Sequence, residues 1–304
     1  MRRKLLIGVG VLLLTMAAAA LYALGARDVP ATSRHAIDLD AWRALAAAMP
    51  GDPPVRIRHI EVHRQEMPKG IVAASEPFGQ HYDIHAYAIQ VVYADGTTGI
   101  IDAINDEASQ LEGGQNPRYF PEAFDAMQTA LRKARWIVCT HEHFDHINGV
   151  ANSPYFDEII DKTVLTKAQL ESPIKLTGIT DAMRARVKPW PHEDAAPLAP
   201  GVVLIPAPSH TPGSQLVYVR LADGAEYLFV GDIAWNLANI RRPTMHPRAV
   251  EWALEEDYAE DTAHWLRAFH DLAESHPKVH QIVAHDGEVM AALVAEGAIE
   301  MGLE

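Results

Sequence analysis

The run Thr140-His141-Glu142-His143-Phe144-Asp145-His146 places three imidazoles and the carboxylate of Asp145 within six residues. Neutral imidazole and carboxylate are the ligands that zinc and its neighbours prefer. The cluster follows the apolar run Trp136-Ile137-Val138-Cys139, so it reads as a metal site at the end of a buried strand. A merely solvated loop is a poor account, because histidines this close repel one another once protonated. Metal-assisted hydrolysis is the first chemistry this pattern suggests.

Strand and helix patterns alternate around the cluster. Asp38 caps a short helix with Leu39, Trp42, Leu45 and Met49 on one side, ended by Pro50. Arg56 to His63 alternates in polarity, and Ile84 to Tyr93 is a clearer strand. Asp95-Gly96 then turns the chain into a returning strand, Thr97 to Ile101. Pro121 opens a helix with Phe124, Met127 and Leu131 on its apolar face. Further strands are expected at Val164-Leu165, Val202 to Ile205, Gln215 to Leu221, Glu226 to Val230 and Val279 to Ala284. A helix is expected over Asp261 to Glu274. Asp102, Asp232 and His285 each follow directly on a strand, as the cluster does. Loops at strand ends, held by a rigid sheet, are where sites are commonly built. The order of elements suggests two sheets with helices outside. The proline-rich segment Lys167 to Pro200 reads as an excursion that covers a pocket.

The N-terminus is a separate object. Arg2, Arg3 and Lys4 precede an uncharged apolar run, Leu5 to Leu24, which has the pattern of an export signal. The run is also long enough to cross a bilayer. Residues 1–26 are therefore read as a signal peptide or signal anchor, 27–54 as a linker with a short helix, and 55–304 as the main domain. The body is expected outside the cytoplasm, periplasmic or secreted, or held at the inner membrane by this segment. Loss of residues 1–26 takes the formal charge from −14 to about −17, which argues against nucleic acid as a partner. It also disfavours docking of the body on an anionic membrane, so membrane contact is expected only through the N-terminal segment. The lone Cys139 can form no internal disulfide, and its apolar neighbours suggest a buried thiol.

His141-Glu142-His143-Phe144-Asp145-His146 resembles the HxHxDH signature of the metallo-β-lactamase superfamily. The family's later ligands have counterparts in order: His210 in Ser209-His210-Thr211, Asp232 in Gly231-Asp232, and His285 in Ala284-His285-Asp286. The resemblance spans Ile84 to Asp286 and implies an α/β fold, a four-layer αββα sandwich. It implies two divalent metal ions, zinc first, with iron or manganese compatible with the second site. His141, His143 and His210 would hold the first ion, Asp145, His146 and His285 the second, and Asp232 would bridge them. A hydroxide between the ions would attack a carbonyl carbon, with Asp145 moving its proton. Asp102 resembles an aspartate that orients the histidine loop without touching metal. Residues 55–304 are thus expected to form a metallo-β-lactamase-like hydrolase domain.

The expected substrate is a small molecule with a carboxylic ester, lactone or amide; the oligomeric state stays open. A β-lactam hydrolase is an alternative, although β-lactamases generally lack a bridging aspartate where Asp232 stands. A glyoxalase-II-like thioesterase is another. Acyl homoserine lactonases resemble this chain in all seven ligands but carry a tyrosine three residues after the bridging aspartate, where this chain has Trp235. Trp235 is a candidate apolar wall, and Arg241 a candidate partner for a substrate carboxylate. In a different class stand an iron-dependent persulfide dioxygenase-like oxidoreductase and a non-catalytic metal-binding protein. Of the 16 histidines, His35, His59, His63, His81, His264, His270, His276 and His280 read as ordinary, and His85, His192 and His246 stay open.

Overall fold

The computed structural model describes residues 2–112, 117–191, 193–256 and 258–304, with side chains from residue 8 onward. His192 lies outside the described residues. One sheet contains β1 (Arg56–Pro68), β2 (His81–Val92), β3 (Thr98–Ile101), β4 (Arg118–Tyr119), β5 (Trp136–Val138), β6 (Thr163–Val164) and, from the far end of the chain, Glu300–Met301. The other contains β7 (Ala196–Ala199), β8 (Val202–Pro206), β9 (Gln215–Arg220), β10 (Glu226–Gly231) and β11 (Val279–Val283). Glu300–Met301 is β12. The strand orders are β12-β1-β2-β3-β5-β6, with β4 on β1, and β11-β10-β9-β8-β7.

The two-residue period of a strand divides each sheet between two cores. In β9, Leu216 and Tyr218 face outward to helices, while Val217 and Val219 face the opposite sheet. In β2, Ala86 and Ala88 face outward, while Tyr87, Ile89 and Val91 turn inward. The outer face of the second sheet is covered by the helix Ala259–Ser275 through Trp265, Leu266, Phe269 and Leu272. Leu39 and Trp42 of the helix Leu39–Ala46 add to that layer. The first sheet is covered by Met127 and Leu131 of Pro121–Lys133 and by Ile147 and Val150 of Phe144–Ala151. Each such side chain stabilises the fold by about 1.5–3 kcal/mol relative to exposure. The result is the expected αββα sandwich.

Some expectations need correction. The helix capped by Asp38 ends at Ala46, before Met49. β1 runs on to Pro68, paired with β2 as far as His81. Arg2–Leu24 is helical and its apolar side chains, Leu14 and Leu21 among them, are exposed. Among the described residues, no helix is long and apolar enough to cross a membrane. Cys139 is free and buried, as expected, and burial pushes its thiol pKa up.

Candidate metal centre

β3 and β5 run parallel, as do β10 and β11, so the C-terminal ends of each pair lie together. Four strand ends deliver Asp102, the cluster at 141–146, Asp232 and His285 to one edge of the sandwich. His141 leaves β5, while Asp145 and His146 lie in the first turn of the helix Phe144–Ala151. His210 comes from the loop between β8 and β9. Gly231 makes the approach of Asp232 feasible: its φ is +55°, and a Cβ there would lie 2.8 Å from that of Thr140.

The donor atoms converge in two groups, His141, His143, His210 and Asp232, and Asp145, His146, Asp232 and His285, each with its donors within 4.8 Å of one another. His143 Nδ1 lies 3.0 Å from His141 Nε2 and 3.0 Å from His210 Nε2. Imidazoles bound at about 2.0 Å around a tetrahedral ion place their nitrogens about 3.3 Å apart. Asp232 Oδ2 is 3.9 Å from His141 Nε2 and 3.6 Å from His210 Nε2. Its Oδ1 faces the other way, 3.2 Å from His146 Nε2 and 3.1 Å from His285 Nε2. One carboxylate thus serves both groups. His146 Nε2 and Asp232 Oδ1 are buried without a hydrogen-bond partner among the described residues. Such atoms are costly unless something outside the chain engages them. Nitrogen-rich and mixed nitrogen–oxygen donors fit a pair of divalent cations.

The far nitrogens of four rings are held as well. His146 Nδ1 is 2.9 Å from Asp102 Oδ2, and His285 Nδ1 donates to His85 O at 2.7 Å. His141 Nδ1 contacts Thr140 Oγ1 at 3.2 Å, and His210 Nδ1 contacts Glu256 Oε1. These bonds fix each ring so that Nε2 points into the cluster. Asp102 also accepts from Thr140 N at 2.7 Å and Thr140 Oγ1 at 3.0 Å, from a backbone with φ +62°. A non-glycine residue in that region is strained, here at the loop it ties to the histidines.

Charge follows geometry. Burial, aided by His146, lowers the pKa of His141 well below its ordinary value, and burial, aided by His210, lowers that of His143 to about 4. Burial opposes charge on His146 too, but Asp232, Asp102 and Asp145 outweigh it and raise that pKa. Asp232 is held low against burial by His285, His146 and His141.

A cavity of about 110 Å³ opens onto Asp145, His143, Asp232 and His285. Its apolar wall is Met67, Ile84, Phe144, Leu176, Trp235 and Leu254. Leu176 comes from the 167–200 excursion, tied to the ligand loop by Phe144 N donating to Leu176 O at 3.0 Å. Trp235 is 9% exposed, with its ring 6.1 Å from that of His285. Arg241 is not on this wall. It is exposed and lines a neighbouring cavity of about 500 Å³ with Glu76, Tyr82 and Asp286. Sequence reasoning missed Glu256, which also bonds His246 Nε2 at 2.9 Å and so leaves no doubt where His246 points. It also misread His63, which lines the cavity and is driven to a pKa of about 4 by burial.

The sequence profile described as the metallo-beta-lactamase superfamily matches residues 84–290. The chain belongs to the metallo-β-lactamase superfamily. No curated protein sequence matches it. Among solved structures, an N-acyl homoserine lactone hydrolase with its product N-hexanoyl-L-homoserine at the catalytic metal centre gives a TM-score of 0.63 at 14% identity. That alignment covers 79% of this chain and 96% of the other. A quorum-quenching N-acyl homoserine lactone lactonase gives 0.61 at 14% identity, covering 78% and 94%. A dizinc quorum-quenching lactonase in complex with its product gives 0.50 at 15% identity, covering 75% and 86%. At these identities the likeness establishes the fold. The superfamily's dinuclear metal site has its counterpart in the two donor groups that share Asp232.

Proposed function

We propose that this superfamily member is a metal-dependent hydrolase of small carboxylic esters or lactones, with lactones first. The observation that carries this reading is the pair of donor groups joined by Asp232 beneath a small, mostly apolar cavity. His141, His143 and His210 would hold one ion and Asp145, His146 and His285 the other, with Asp232 available to both. Zinc suits the three-nitrogen group, and zinc, iron or manganese the other. Two such cations supply Lewis acidity at a carbonyl oxygen and bring the pKa of water towards neutrality.

The chain's own residues do the rest. Asp145 is 24% exposed, more open than the other donors, and lies on the cavity wall with Oδ2 3.8 Å from His146 Nε2. Its carboxylate takes the proton of the attacking water and returns it to the leaving oxygen. Trp235 stands where the lactonases that resemble this chain carry a tyrosine. An indole N–H donates a hydrogen bond but yields no proton, so Trp235 shapes the acyl side of the cavity. Solved relatives of the same fold that bind acyl homoserine products support a lactone as substrate. Export remains part of the reading: Arg2, Arg3 and Lys4 ahead of an apolar run support a periplasmic or secreted enzyme.

Metal analysis beside a substrate panel tests the proposal: a p-nitrophenyl ester, an acyl homoserine lactone, a β-lactam and a phosphodiester. Lactone or ester turnover that a chelator silences and a divalent metal restores is the expected result. His141→Ala should lose both metal and turnover. Full activity after chelation, or in metal-depleted His141→Ala, would sink the assignment.

A further inference from the structure

Glu142 takes no part in the chemistry above, although it stands between the donors His141 and His143. It is fully buried, and among the described residues no cation pairs with it. A carboxyl group out of water is costly unless it is paired or hydrogen-bonded. An apolar side chain of similar size would avoid that cost. The reason for an acid here therefore lies in what its oxygens hold.

Both oxygens reach the loop that carries His210. Oε2 accepts from Thr211 Oγ1 at 2.7 Å, and Oε1 accepts from Gly213 N at 3.2 Å. The Thr211 hydroxyl gives its one proton to Glu142, so it accepts from Ser214 Oγ, 3.0 Å away. Ser214 Oγ in turn accepts from Thr211 N at 2.9 Å. Gly213 is required for this approach: a Cβ there would lie 2.5 Å from Glu142 Oε2 and 2.4 Å from Gln169 Cγ. Glu142 is fixed at its other end as well, where its carbonyl oxygen accepts from Gly178 N at 2.9 Å.

Within the 207–215 loop, bonds such as Ser209 N to Thr211 O at 3.1 Å hold the shape of the turn. Gln215 N donating to Thr140 O at 2.9 Å fixes its far end. The bonds to Glu142 fix where the residues next to His210 stand relative to His141 and His143. We propose that Glu142 is a positioning residue for the first metal ion: through Thr211 and Gly213 it sets the spacing of His210 from His141 and His143, and so tunes the affinity of that group without touching the ion. This rests on the metal-site part of the hydrolase reading. The nitrogens of the group already converge, with His143 Nδ1 3.0 Å from those of both His141 and His210, so little rearrangement is left for an ion to drive.

Metal binding reads this without turnover. Zinc and cobalt(II) affinities are measured by competition with a chelator, and the cobalt-loaded protein is followed by its visible absorbance. Glu142→Met should weaken binding at the first group by about 10–100-fold, as for loss of other partners that orient a ligand. Glu142→Gln should stay within about threefold, because its oxygen can accept from Gly213 N and its amide can donate to Thr211 Oγ1, whose proton turns to Ser214 Oγ. That rescue separates positioning from charge. The absorbance that Glu142→Met loses should match the part lost in His210→Ala and not the part lost in His285→Ala. If Glu142→Met does not fold, Thr211→Val cuts the same link from the other side and should lose the same absorbance. Full first-group affinity in the variant that removes the link overturns the proposal. So do equal losses in the Met and Gln variants, or lost absorbance that matches His285→Ala. Metal affinity that follows Glu142 in a protein that hydrolyses nothing on the substrate panel would defeat the hydrolase reading and leave this one standing. Chelator-sensitive hydrolysis with metal affinity indifferent to Glu142 would do the reverse.

Discussion

Glu256→Gln isolates what a buried charge behind a metal ligand contributes. Glu256 is buried between His210 Nδ1 and His246 Nε2. Burial opposes its charge, but His246 and His210 outweigh burial and hold the carboxyl well below the usual range, so it is an anion at neutral pH. Glutamine keeps the shape. Its oxygen still accepts from His210, and its amide can donate to His246 once that ring moves its proton to Nδ1. What disappears is the negative charge that makes His210 a stronger donor to metal. A hydrogen bond to a charged group contributes about 1.5–3 kcal/mol and a neutral one about 0.5–1.5, a difference of roughly 1–2 kcal/mol. That corresponds to about a 5–30-fold loss in zinc affinity, at the lower end of the 10–100-fold typical of such partners. Competition with a chelator of known affinity, near neutral pH, reads it directly. Thermal melts of both zinc-free proteins show whether the fold has changed. An affinity within threefold of wild type, with a normal melt, would refute the claim that Glu256 acts through His210.

Other outcomes follow from the same geometry. Asp145→Asn should lower kcat on the order of a hundredfold while shifting Tm little, because Asp145 is partly exposed; an unchanged kcat would remove it from the chemistry. Gly149→Ala gains up to about 1 kcal/mol of helix propensity, but its Cβ would lie 2.6 Å from Ile104 O and 2.7 Å from Ala103 O. Backbone cannot yield as a side chain does, so urea unfolding should show a net loss of about 1–3 kcal/mol; a gain would show that this approach is soft. His63 has a folded pKa of about 4, below its unfolded value, so the unfolded chain takes up the proton first as pH falls. Stability unaffected by this group above pH 6.5 should therefore decline by roughly 3 kcal/mol between pH 6.5 and 4. Unfolding curves of His63→Asn should lack that part of the decline, and parallel curves would contradict it.

The sandwich was legible because its signals are local. The short apolar runs of β9 and β10, the Asp95-Gly96 turn and the Pro121 helix each need only a few neighbours to read. Elements that form through partners left little trace. β4 and β12 are two residues each and exist because β1 offers them edges. The extension of β1 from Arg64 to Pro68 is polar and half-exposed, so no apolar alternation marks it. The donor set was legible through a motif with ordered companions, whereas Glu256 reaches His210 across 46 residues with no spacing to announce it. His63 looked ordinary because its position depends on a one-residue slip between strands. Arg241 lies off the metal-side cavity because its short helix buries Asn239 and Ile240 and turns Arg241 outward, where it lines the neighbouring cavity instead.

The carboxylate of Asp232 ties together two halves of the molecule. His141, His143, Asp145 and His146 ride on the first sheet, and His210, Asp232 and His285 on the second. Each donor group draws on both sheets, so its width is a measure of how the sheets sit against one another. A side chain such as Val217 or Phe229, packed between the layers, helps set that spacing. Neither half of the sandwich can drift in shape alone without detuning the centre they jointly hold.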